Sequence, residues 1–484
     1  MWTLNNIRCA LTPEVIAEGS HTLFSKVVLD SREVTNGDIF ICMRGTKSDG
    51  HDYISGALNK GASCIILSNK NACENLPLEG VTILAVPDTD AALVAMGTYK
   101  RQQSHAKIIA ITGSFGKTST KEWLLHVLSH FGDAYANYKS YNSFPGVPLT
   151  LANIPDSCAY AIVEIGMNTP HEIKPLACMV SPDVAIITTI GQAHLELFGT
   201  IDAIAIEKAD IFAGLVEGGC AIFPSDQTTS SILSDKASSV PDVCIRSFGK
   251  VDNAHTRLRT CTPHGDTQAI TVSLGKSGES EYSYTLGIPG NHWAYNSLAL
   301  VTLVDYLGLD MPRALAALGN FRGLFGRGKH VLISLNKGGK IRIIDEAYNG
   351  GPESMIAAIE TLAYMSCSGP HGRKIAVIGD MYELGNKSIY FHELIAHHLN
   401  SAAIDIVHTS GTHARTVHEH VSQSRRGFHD DDSDPSALGT RIAQTVRAGD
   451  VLMIKGSRGP TFTQEGRMGQ VVAAVMHLGT LVEE

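Results

Sequence analysis

The sequence predicts an α/β protein whose sheets consist mostly of parallel strands. Short runs rich in β-branched residues alternate with segments of helical periodicity from one end of the chain to the other. The chain has 484 residues, which is too many for one hydrophobic core, so roughly two to four domains are expected. A strand, a glycine-rich loop and a helix follow one another from residue 107 onward, an order typical of parallel sheets with crossing helices.

Composition and charge exclude several classes of protein. The formal net charge of −9 gives no electrostatic reason to expect a nucleic-acid partner. The ten cysteines are scattered and form no Cys-x-x-Cys pair, which is typical of reduced thiols in the cytosol. The first residues lack a signal-peptide pattern, and no apolar run reaches the roughly 18 to 20 residues of a membrane span. We therefore expect a cytoplasmic protein without a membrane span.

Residues 1–100 form the first predicted domain. Polar turns separate its short β-branched runs, and one stretch has helical periodicity. The expected strands lie at 26–30, 38–42, 64–67 and 81–86, with a helix near 53–60.

Residues 101–312 form the second predicted domain. Its strongest strands are the apolar runs at 107–112, 159–165 and 183–190. A hydrophilic stretch at about 225–285 is rich in Ser, Asp, Thr and Gly, and it is expected to be an irregular or antiparallel insertion.

Residues 313–484 form the third predicted domain. A basic, glycine-rich segment at 321–329 suits a linker, and strands are expected at 340–345, 374–379 and 450–455. The polar segment 422–436 is expected to be a solvated loop.

The glycine-rich loop of the second domain has the composition of a phosphate-binding site. It reads Gly113-Ser114-Phe115-Gly116-Lys117-Thr118-Ser119. Glycines let backbone N–H groups turn toward an anion, and the following helix adds the positive end of its dipole. Lys117 supplies a point charge for the outer phosphates, and the Thr118 hydroxyl can bind magnesium. A surface lysine beside a glycine turn would not explain the strand before the loop and the helix after it.

This T-G-x-x-G-K-T loop, about a hundred residues into the chain, resembles that of the Mur ligases and the related folylpolyglutamate synthetases. Residues further on favour the Mur family: Glu164 in AIVEIGMN, His194 in TTIGQAHLELFGT and Lys208 in AIAIEKADIF. The resemblance implies that Thr118, Glu164 and His194 bind Mg²⁺ and that a carbamylated Lys208 is a further metal ligand. It also implies the three-domain Mur ligase architecture, with a central P-loop ATPase-type parallel sheet and a Rossmann-like C-terminal domain.

The same resemblance implies an ATP site between the second and third domains. Asn296 in GIPGNHWAYNSLAL is expected near the adenine, Arg327 near the phosphates and Asp345 near the ribose. The full set of expected ATP contacts is Gly113, Ser114, Phe115, Gly116, Lys117, Thr118, Ser119, Asn296, Arg327 and Asp345.

Substrate contacts are implied in all three domains. The motifs around Ser31-Arg32 and Asp49-Gly50-His51 resemble the uridine-nucleotide-binding domain of the family. Asn142 in KSYNSFPGVPLTL is expected to face the substrate, and Tyr348 and Asn349 in IIDEAYNGGPESM are expected near the incoming amine.

The motif G-D-M-x-E-L-G at 379–385 resembles the family member that extends a tripeptide with a dipeptide. This implies UDP-N-acetylmuramoyl-tripeptide and D-alanyl-D-alanine as partners, with ATP and Mg²⁺ as cofactors and a monomeric enzyme. Two departures stand out: Ser143 replaces the second of two paired asparagines, and Gly351 replaces the asparagine of Y-N-A-N-P. Gly350 and Gly351 together predict a wider acceptor pocket.

The resemblance implies a reaction in which the peptide carboxylate is activated as an acyl phosphate before the amine attacks. The residues expected to act in catalysis are Lys117, His194, Lys208 and Arg327. The nearest alternatives are the tripeptide-forming Mur ligase and folylpolyglutamate synthetase, of which the latter lacks a uridine-binding first domain. A nucleotide-dependent switch protein should carry Asn-Lys-x-Asp, which does not occur in the chain. Whether the third peptide residue is diaminopimelate or lysine stays open.

Overall fold

Three large sheets, one after another along the chain, organise the protein. The computed structural model describes residues 1–46, 48–74, 76–138, 140–275, 278–431, 434–459 and 466–482. We call the parts built on the three sheets the N-terminal, central and C-terminal bodies. No helix among these residues is long and apolar enough to cross a membrane.

The N-terminal body contains a five-stranded sheet in the order β2-β7-β6-β5-β4, in which only β2 is antiparallel to its neighbour, together with the two-stranded ribbon β1-β3. The strands are β1 Trp2–Thr3, β2 Glu14–Ala17, β3 Leu23–Phe24, β4 Val27–Val28, β5 Ile39–Ile41, β6 Cys64–Leu67 and β7 Thr82–Ala85. The helices are α1 Leu4–Leu11, α2 Ile54–Asn59 and α3 Thr89–Gln103. Asp88 fixes the start of α3, because its side chain accepts hydrogen bonds from the N–H groups of Asp90 and Ala91.

The central body contains a nine-stranded sheet in the order β16-β15-β14-β13-β12-β11-β8-β10-β9. Its strands are β8 Lys107–Thr112, β9 Ala134–Ala136, β10 Tyr160–Glu164, β11 Val184–Ile187, β12 Cys220–Pro224, β13 Cys244–Gly249, β14 Thr256–His264, β15 Thr267–Leu274 and β16 Ser280–Leu286. Its helices are α4 Lys117–Leu128, α5 Gly146–Ala152, α6 Ile173–Val180, α7 Leu195–Phe198, α8 Ile201–Ala209, α9 Ser230–Ser238, α10 Asn291–Tyr306 and α11 Met311–Asn320. Strands β8, β10 and β11 are parallel neighbours, so their carboxyl ends meet at one edge of the sheet.

The C-terminal body contains a seven-stranded sheet in the order β21-β20-β19-β22-β18-β17-β23, in which β17 is antiparallel to both of its neighbours and the other pairs are parallel. Its strands are β17 Lys329–Leu335, β18 Lys340–Glu346, β19 Lys374–Gly379, β20 Ile406–Ser410, β21 Arg426–Asp430, β22 Val451–Lys455 and β23 Gly479–Val482. Its helices are α12 Pro352–Tyr364, α13 Ser388–Ser401, α14 Ala414–His420, α15 Pro435–Thr445 and α16 Gly466–Met476. A buried apolar cluster runs from the central body into this one and includes Val163, Met355 and Met381.

The predicted α/β class and the mostly parallel strands are confirmed. The antiparallel alternative for 225–285 is correct only from Thr256 onward, because α9 and β13 continue the parallel pattern before it. The prediction of a loop at 422–436 is wrong for Arg426–Asp430, which pairs with β20 as an edge strand and packs Phe428 against His408. Residues 432 and 433 of that segment lie outside the described residues.

The predicted domain boundaries at residues 100 and 312 fall inside helices α3 and α11. The Trp123 indole N–H donates to the Leu318 carbonyl at 3.3 Å, which ties α11 to helix α4 of the central body. We propose that the junctions lie at the ends of these helices, near Ser104 and Phe321.

Candidate active site

The loop between β8 and α4 has a backbone conformation that requires glycine at two positions. Gly113 has φ +150°, and a Cβ there would lie 2.0 Å from the Thr188 hydroxyl oxygen. Gly116 has φ +83°, and a Cβ there would lie 3.0 Å from the Asn296 amide. The loop therefore follows the sheet edge closely and leads directly into the N-terminus of α4. The Lys117 ammonium folds back over it and donates to the Gly113 carbonyl at 2.7 Å.

Glu164, at the carboxyl end of β10, lies beside this loop and is almost fully buried, with 1% of its surface exposed. Its carboxylate accepts hydrogen bonds from the Thr118 hydroxyl at 2.8 Å and from the Asn142 amide at 2.7 Å. The Asn137 side chain holds the same residue from behind, because it accepts from the Glu164 N–H and donates to the Glu164 carbonyl. Two uncharged donors thus orient a buried anion next to the glycine loop.

His194 contacts the C-terminal body, whereas Lys208 is buried within the central body. The His194 ring Nδ1 lies 2.7 Å from a carboxylate oxygen of Glu383 in the C-terminal body, and this hydrogen bond lowers the pKa of Glu383. Lys208 is 1% exposed, and burial lowers the pKa of its ammonium well below the usual range, with the charge of Lys117 adding to the effect. Burial also lowers the pKa of Lys117, which Glu164 opposes and Arg327 reinforces.

The C-terminal body faces the loop with Arg327 and Tyr348. The Arg327 guanidinium stacks over the Tyr348 ring at 3.8 Å from its centroid, and the Tyr348 hydroxyl is 2.6 Å from that of Ser140 in the central body. Asp345 lies behind them: its carboxylate accepts from the Gly326 N–H at 2.7 Å and from the Ala347 N–H at 3.1 Å. In this conformation Asp345 therefore fixes the turn that carries Arg327.

These elements enclose a cavity of about 400 Å³ between the central and C-terminal bodies. The predicted residues that line it are Ser114, Phe115, Gly116, Lys117, Thr118, Ser119, Asn142, Glu164, His194, Asn296, Arg327, Tyr348 and Asn349. Gly113, Lys208 and Asp345 are not among the residues that form its wall. The structure thus brings together most of the residues that the sequence predicts for an ATP and metal site.

The predicted residues of the N-terminal body lie elsewhere. A second cavity of about 680 Å³ lies between the N-terminal and central bodies, and Asp30 and Glu33 contribute to its wall. Ser31 and Arg32 belong to the short turn between these two residues, and the Arg32 guanidinium is held by Asp30 at 2.7 Å. Ser140 lines both cavities, so the two cavities are neighbours.

Asp49 and His51 form a structural pair in the N-terminal body. The His51 ring Nδ1 lies 2.5 Å from an Asp49 oxygen, and Nε2 accepts from the N–H groups of Ser68 and Asn69 at 3.0 and 3.2 Å. Both ring nitrogens are thus engaged within the protein, and His51 is 5% exposed. The imidazole therefore holds the 49–51 turn against the loop after β6.

The cavity wall includes residues that sequence reasoning did not select as site residues. Among them are Glu346, Glu353, Lys455, His292 and Gln227. Lys455 ends β22 and donates to Glu346 at 3.1 Å, so its position at the carboxyl end of a parallel strand was an available signal. Glu353 lies in the first turn of α12, where its chemistry depends on contacts that sequence spacing does not show.

The prediction of a wider acceptor pocket at Gly350 and Gly351 is wrong. A Cβ on Gly351 would lie 2.8 Å from the Phe115 ring, and one on Gly350 would lie 3.0 Å from the Gly456 backbone. The aromatic ring from the glycine loop occupies the space that the missing side chain leaves.

Comparison with known families matches three consecutive parts of the chain. Residues 24–101 match the model described as Mur ligase family, catalytic domain; residues 111–304 match the Mur ligase middle domain; and residues 332–458 match the Mur ligase, glutamate ligase domain. Together these segments cover most of the chain and include every strand of the central sheet apart from the first four residues of β8.

Individual relatives agree with these matches. The UDP-N-acetylmuramoyl-tripeptide--D-alanyl-D-alanine ligase of Escherichia coli K12 is 30% identical, with 99% of both chains aligned. A crystal structure of MurF from Acinetobacter baumannii superimposes with a TM-score of 0.82 at 25% identity, covering 98% of this chain and 99% of that one. MurF ligase from Thermotoga maritima in complex with ADP gives a TM-score of 0.76 at 26% identity, covering 94% and 97%.

Proposed function

This chain belongs to the Mur ligase family, and we propose that it joins D-alanyl-D-alanine to the free carboxylate of UDP-N-acetylmuramoyl-tripeptide with cleavage of ATP. The observation that carries the proposal is the 400 Å³ cavity in which the phosphate-binding loop meets Arg327 and Tyr348 of the C-terminal body. The relatives named above act on this pair of substrates according to their names. We further propose a monomeric cytoplasmic enzyme; the scattered cysteines, none of them in a Cys-x-x-Cys pair, support the cytoplasmic location.

The arrangement of the two cavities supports a long nucleotide-linked substrate. The cavity between the N-terminal and central bodies borders the Ser31-Arg32 turn, where the uridine nucleotide is expected, and the cavity between the central and C-terminal bodies holds the phosphate-binding loop. Ser140 belongs to both walls, which supports placing the nucleotide in the first of these cavities and the peptide carboxylate beside Lys117 in the neighbouring one. Asp49 and His51 would support the nucleotide site by shaping its turn.

The residues around Glu164 fit magnesium. Its buried carboxylate and the Thr118 hydroxyl are oxygen ligands, and the two hydrogen bonds that the carboxylate accepts come from neutral donors. Among the described residues, no cluster of three or more His, Cys, Asp or Glu side chains could hold a metal alone. Substrate phosphates would therefore complete the ligand set, as is usual for Mg²⁺. When bound, magnesium would neutralise charge on the phosphate oxygens.

The Lys208 side chain fits carbamylation. Only a neutral amine adds to carbon dioxide, forming the N–C bond of a carbamate with release of one proton. Burial and the neighbouring Lys117 charge both favour the neutral amine at Lys208. The resulting anion would then pair with the same Lys117 and extend toward the metal site that His194 and Glu164 border.

The mechanism follows from where the charges lie. The tripeptide carboxylate attacks the γ-phosphorus of ATP, so a C–O–P linkage forms and the bond to the ADP oxygen breaks. Lys117 and Arg327 stabilise the negative charge that gathers around the transferred phosphoryl group. The amine of D-alanyl-D-alanine then attacks the acyl carbon, and inorganic phosphate leaves. Contacts that join the central and C-terminal bodies around this cavity include Ser140–Tyr348, His194–Glu383 and Gln192–Glu353, and they keep the reactants aligned for the reaction.

The proposal is tested by measuring phosphate release with UDP-N-acetylmuramoyl-tripeptide, ATP and a series of acceptors. D-alanyl-D-alanine should start the reaction, whereas L-lysine, diaminopimelate and L-alanyl-L-alanine should not. Inverted stereocentres would direct the amine of the L,L-dipeptide away from the acyl carbon. If a diamino acid with the shorter dipeptide precursor releases phosphate and D-alanyl-D-alanine does not, the tripeptide-forming reaction replaces this one.

A further inference from the structure

Three carboxylate side chains of the described residues line the active-site cavity, and two of them are already engaged. Glu164 is oriented by Thr118 and Asn142 next to the glycine loop. Glu346 is paired with the Lys455 ammonium at 3.1 Å. The third, Glu353, has one oxygen without a partner among the described residues, and no catalytic role has been assigned to it.

Glu353 projects from the first turn of α12 across the boundary between two bodies. Its Oε1 accepts a hydrogen bond from the Gln192 N–H of the central body at 3.0 Å. Its Oε2 is buried and has no hydrogen-bond partner within the described part of the chain. A buried carboxylate oxygen left in this way is costly unless a cation or a proton joins it.

Glu353 lies near two residues of the glycine loop, the apolar Phe115 and the hydroxyl-bearing Ser114. A Cβ on Gly191 would lie 2.8 Å from the Phe115 ring and 3.1 Å from the Glu353 carboxyl carbon, so ring and carboxylate pack on the same glycine. The neighbouring Ser114 hydroxyl exchanges hydrogen bonds with the Gly191 backbone at 3.0 Å. Burial raises the pKa of the Glu353 carboxyl, which makes it a better proton acceptor than a carboxylate in water.

The acceptor presents a chemical problem at this position. The amine of D-alanyl-D-alanine is an ammonium at neutral pH, and an ammonium has no lone pair with which to attack the acyl carbon. The cavity also holds the cationic groups Lys117, Arg327 and Lys455, which repel a positive charge. Of the two histidines in the wall, His194 is bonded to Glu383, and His292 lies on α10 close to Asn296, on the expected adenine side.

We propose that Glu353 is a catalytic residue that binds the acceptor ammonium through Oε2 and removes its proton, an inference that rests on the proposed function. The proton passes from the ammonium nitrogen to Oε2, and the freed lone pair forms the N–C bond to the acyl carbon. The C–O bond to phosphate then breaks, and the second nitrogen proton leaves with the departing phosphate. Glu353 releases its proton to solvent when the product leaves.

The test separates the amine step from the acyl phosphate step. Hydroxylamine is largely unprotonated at neutral pH and traps acyl phosphates as hydroxamates without the help of a base. The full-length protein is supplied with ATP, Mg²⁺ and UDP-N-acetylmuramoyl-tripeptide, and either hydroxylamine or D-alanyl-D-alanine is added. Hydroxamate is followed by its ferric complex and the ligated product by chromatography. The variants are Glu353→Gln, which keeps the shape of the side chain, and Glu360→Gln, which changes an exposed carboxylate seven residues along the same helix.

Glu353→Gln should form hydroxamate within about twofold of the unchanged protein, while D-alanyl-D-alanine ligation falls about a hundredfold or more, as expected for loss of a general base. Glu360→Gln should leave both rates unchanged. Ligation by Glu353→Gln within a few-fold of normal would overturn the proposal. An equal loss of hydroxamate and ligation would also overturn it, because Glu353 would then act in closure or phosphoryl transfer. If the unchanged protein forms neither product, the proposed function itself fails.

Discussion

The hydrogen bond between Ser140 and Tyr348 is expected to contribute a measurable part of the closing free energy of the active site. It joins two residues 208 positions apart, one on each side of the cavity, at 2.6 Å. Tyr348→Phe removes the hydroxyl but keeps the ring on which Arg327 stacks at 3.8 Å. Ser140→Ala removes the other end of the same bond, so the two changes can be combined in a double-mutant cycle.

The expected loss of kcat/KM follows from the chemistry of the contact. Both partners are neutral hydroxyls, and one such bond contributes about 0.5 to 1.5 kcal/mol net. At about 1.36 kcal/mol for each factor of ten, kcat/KM for the nucleotide tripeptide should fall roughly twofold to thirteenfold in either single variant. Because both variants lose the same bond, the double variant should fall by about the same factor. Tyr348→Ala should lose about 0.5 to 2 kcal/mol more transition-state stabilisation than Tyr348→Phe, because the Arg327 guanidinium then has no aromatic ring on which to stack.

The measurement is kcat/KM for the nucleotide tripeptide at saturating ATP and D-alanyl-D-alanine. Tyr364→Phe is the matched control, since this tyrosine lies at the end of α12 with 61% of its surface exposed. If the losses of the two single variants multiply in the double variant, the hydroxyls act independently and the contact does not hold the bodies together.

Three further changes test other parts of the molecule. Lys117→Ala should abolish ligation while circular dichroism and the melting temperature stay near normal, because the described hydrogen bonds of its ammonium go to the Gly113 and Ser114 carbonyls of its own loop. Near-normal turnover would remove this lysine from the mechanism. Lys208→Arg should be inactive, and Lys208→Ala should regain part of its activity with short carboxylic acids if a carbamate is the working group; an active arginine variant would show that positive charge suffices. His408→Asn should reduce the acid sensitivity of the fold. Burial lowers the pKa of His408 from 6.5 to about 4. Between pH 6.5 and 4 the unfolded chain therefore binds a proton at this histidine that the folded chain does not bind. Unfolding free energies measured in urea should show that the unchanged protein loses about 3 kcal/mol more than the variant between pH 6.5 and 4, and no difference should develop above pH 6.5. Parallel pH curves for the two proteins would refute this assignment.

Much of the fold follows from local patterns in the chain. The apolar runs at Lys107–Thr112 and Lys374–Gly379 are buried central strands, and their composition identifies them without tertiary information. Edge strands are harder to predict, because only one side is paired and their residues alternate less clearly. Arg426–Asp430 contains two charged residues, a histidine and a glycine, and it forms a strand because it pairs with the edge of β20.

The site was predictable where chemistry is carried by a short contiguous motif. The loop from Gly113 to Ser119 contains its two required glycines and Lys117 within seven residues, so the order of residues is sufficient to predict its position between β8 and α4. Glu353 could not be identified in this way, because what distinguishes it is its contact with Gln192, 161 residues earlier, and an oxygen left without a partner. His51 shows the converse: its motif suggested a substrate contact, but both ring nitrogens serve the fold.

The packing of Phe115 against Gly351 makes the evolution of these two positions interdependent. A side chain introduced at 351 alone would collide with the ring, and a smaller residue at 115 alone would leave an unfilled gap beside Gly191 and Glu353. Each single step is therefore disfavoured on a background where the other residue is unchanged. Restoring the family asparagine at 351 would therefore require the Phe115 ring to move or residue 115 to change as well, although the two positions lie 236 residues apart in the chain.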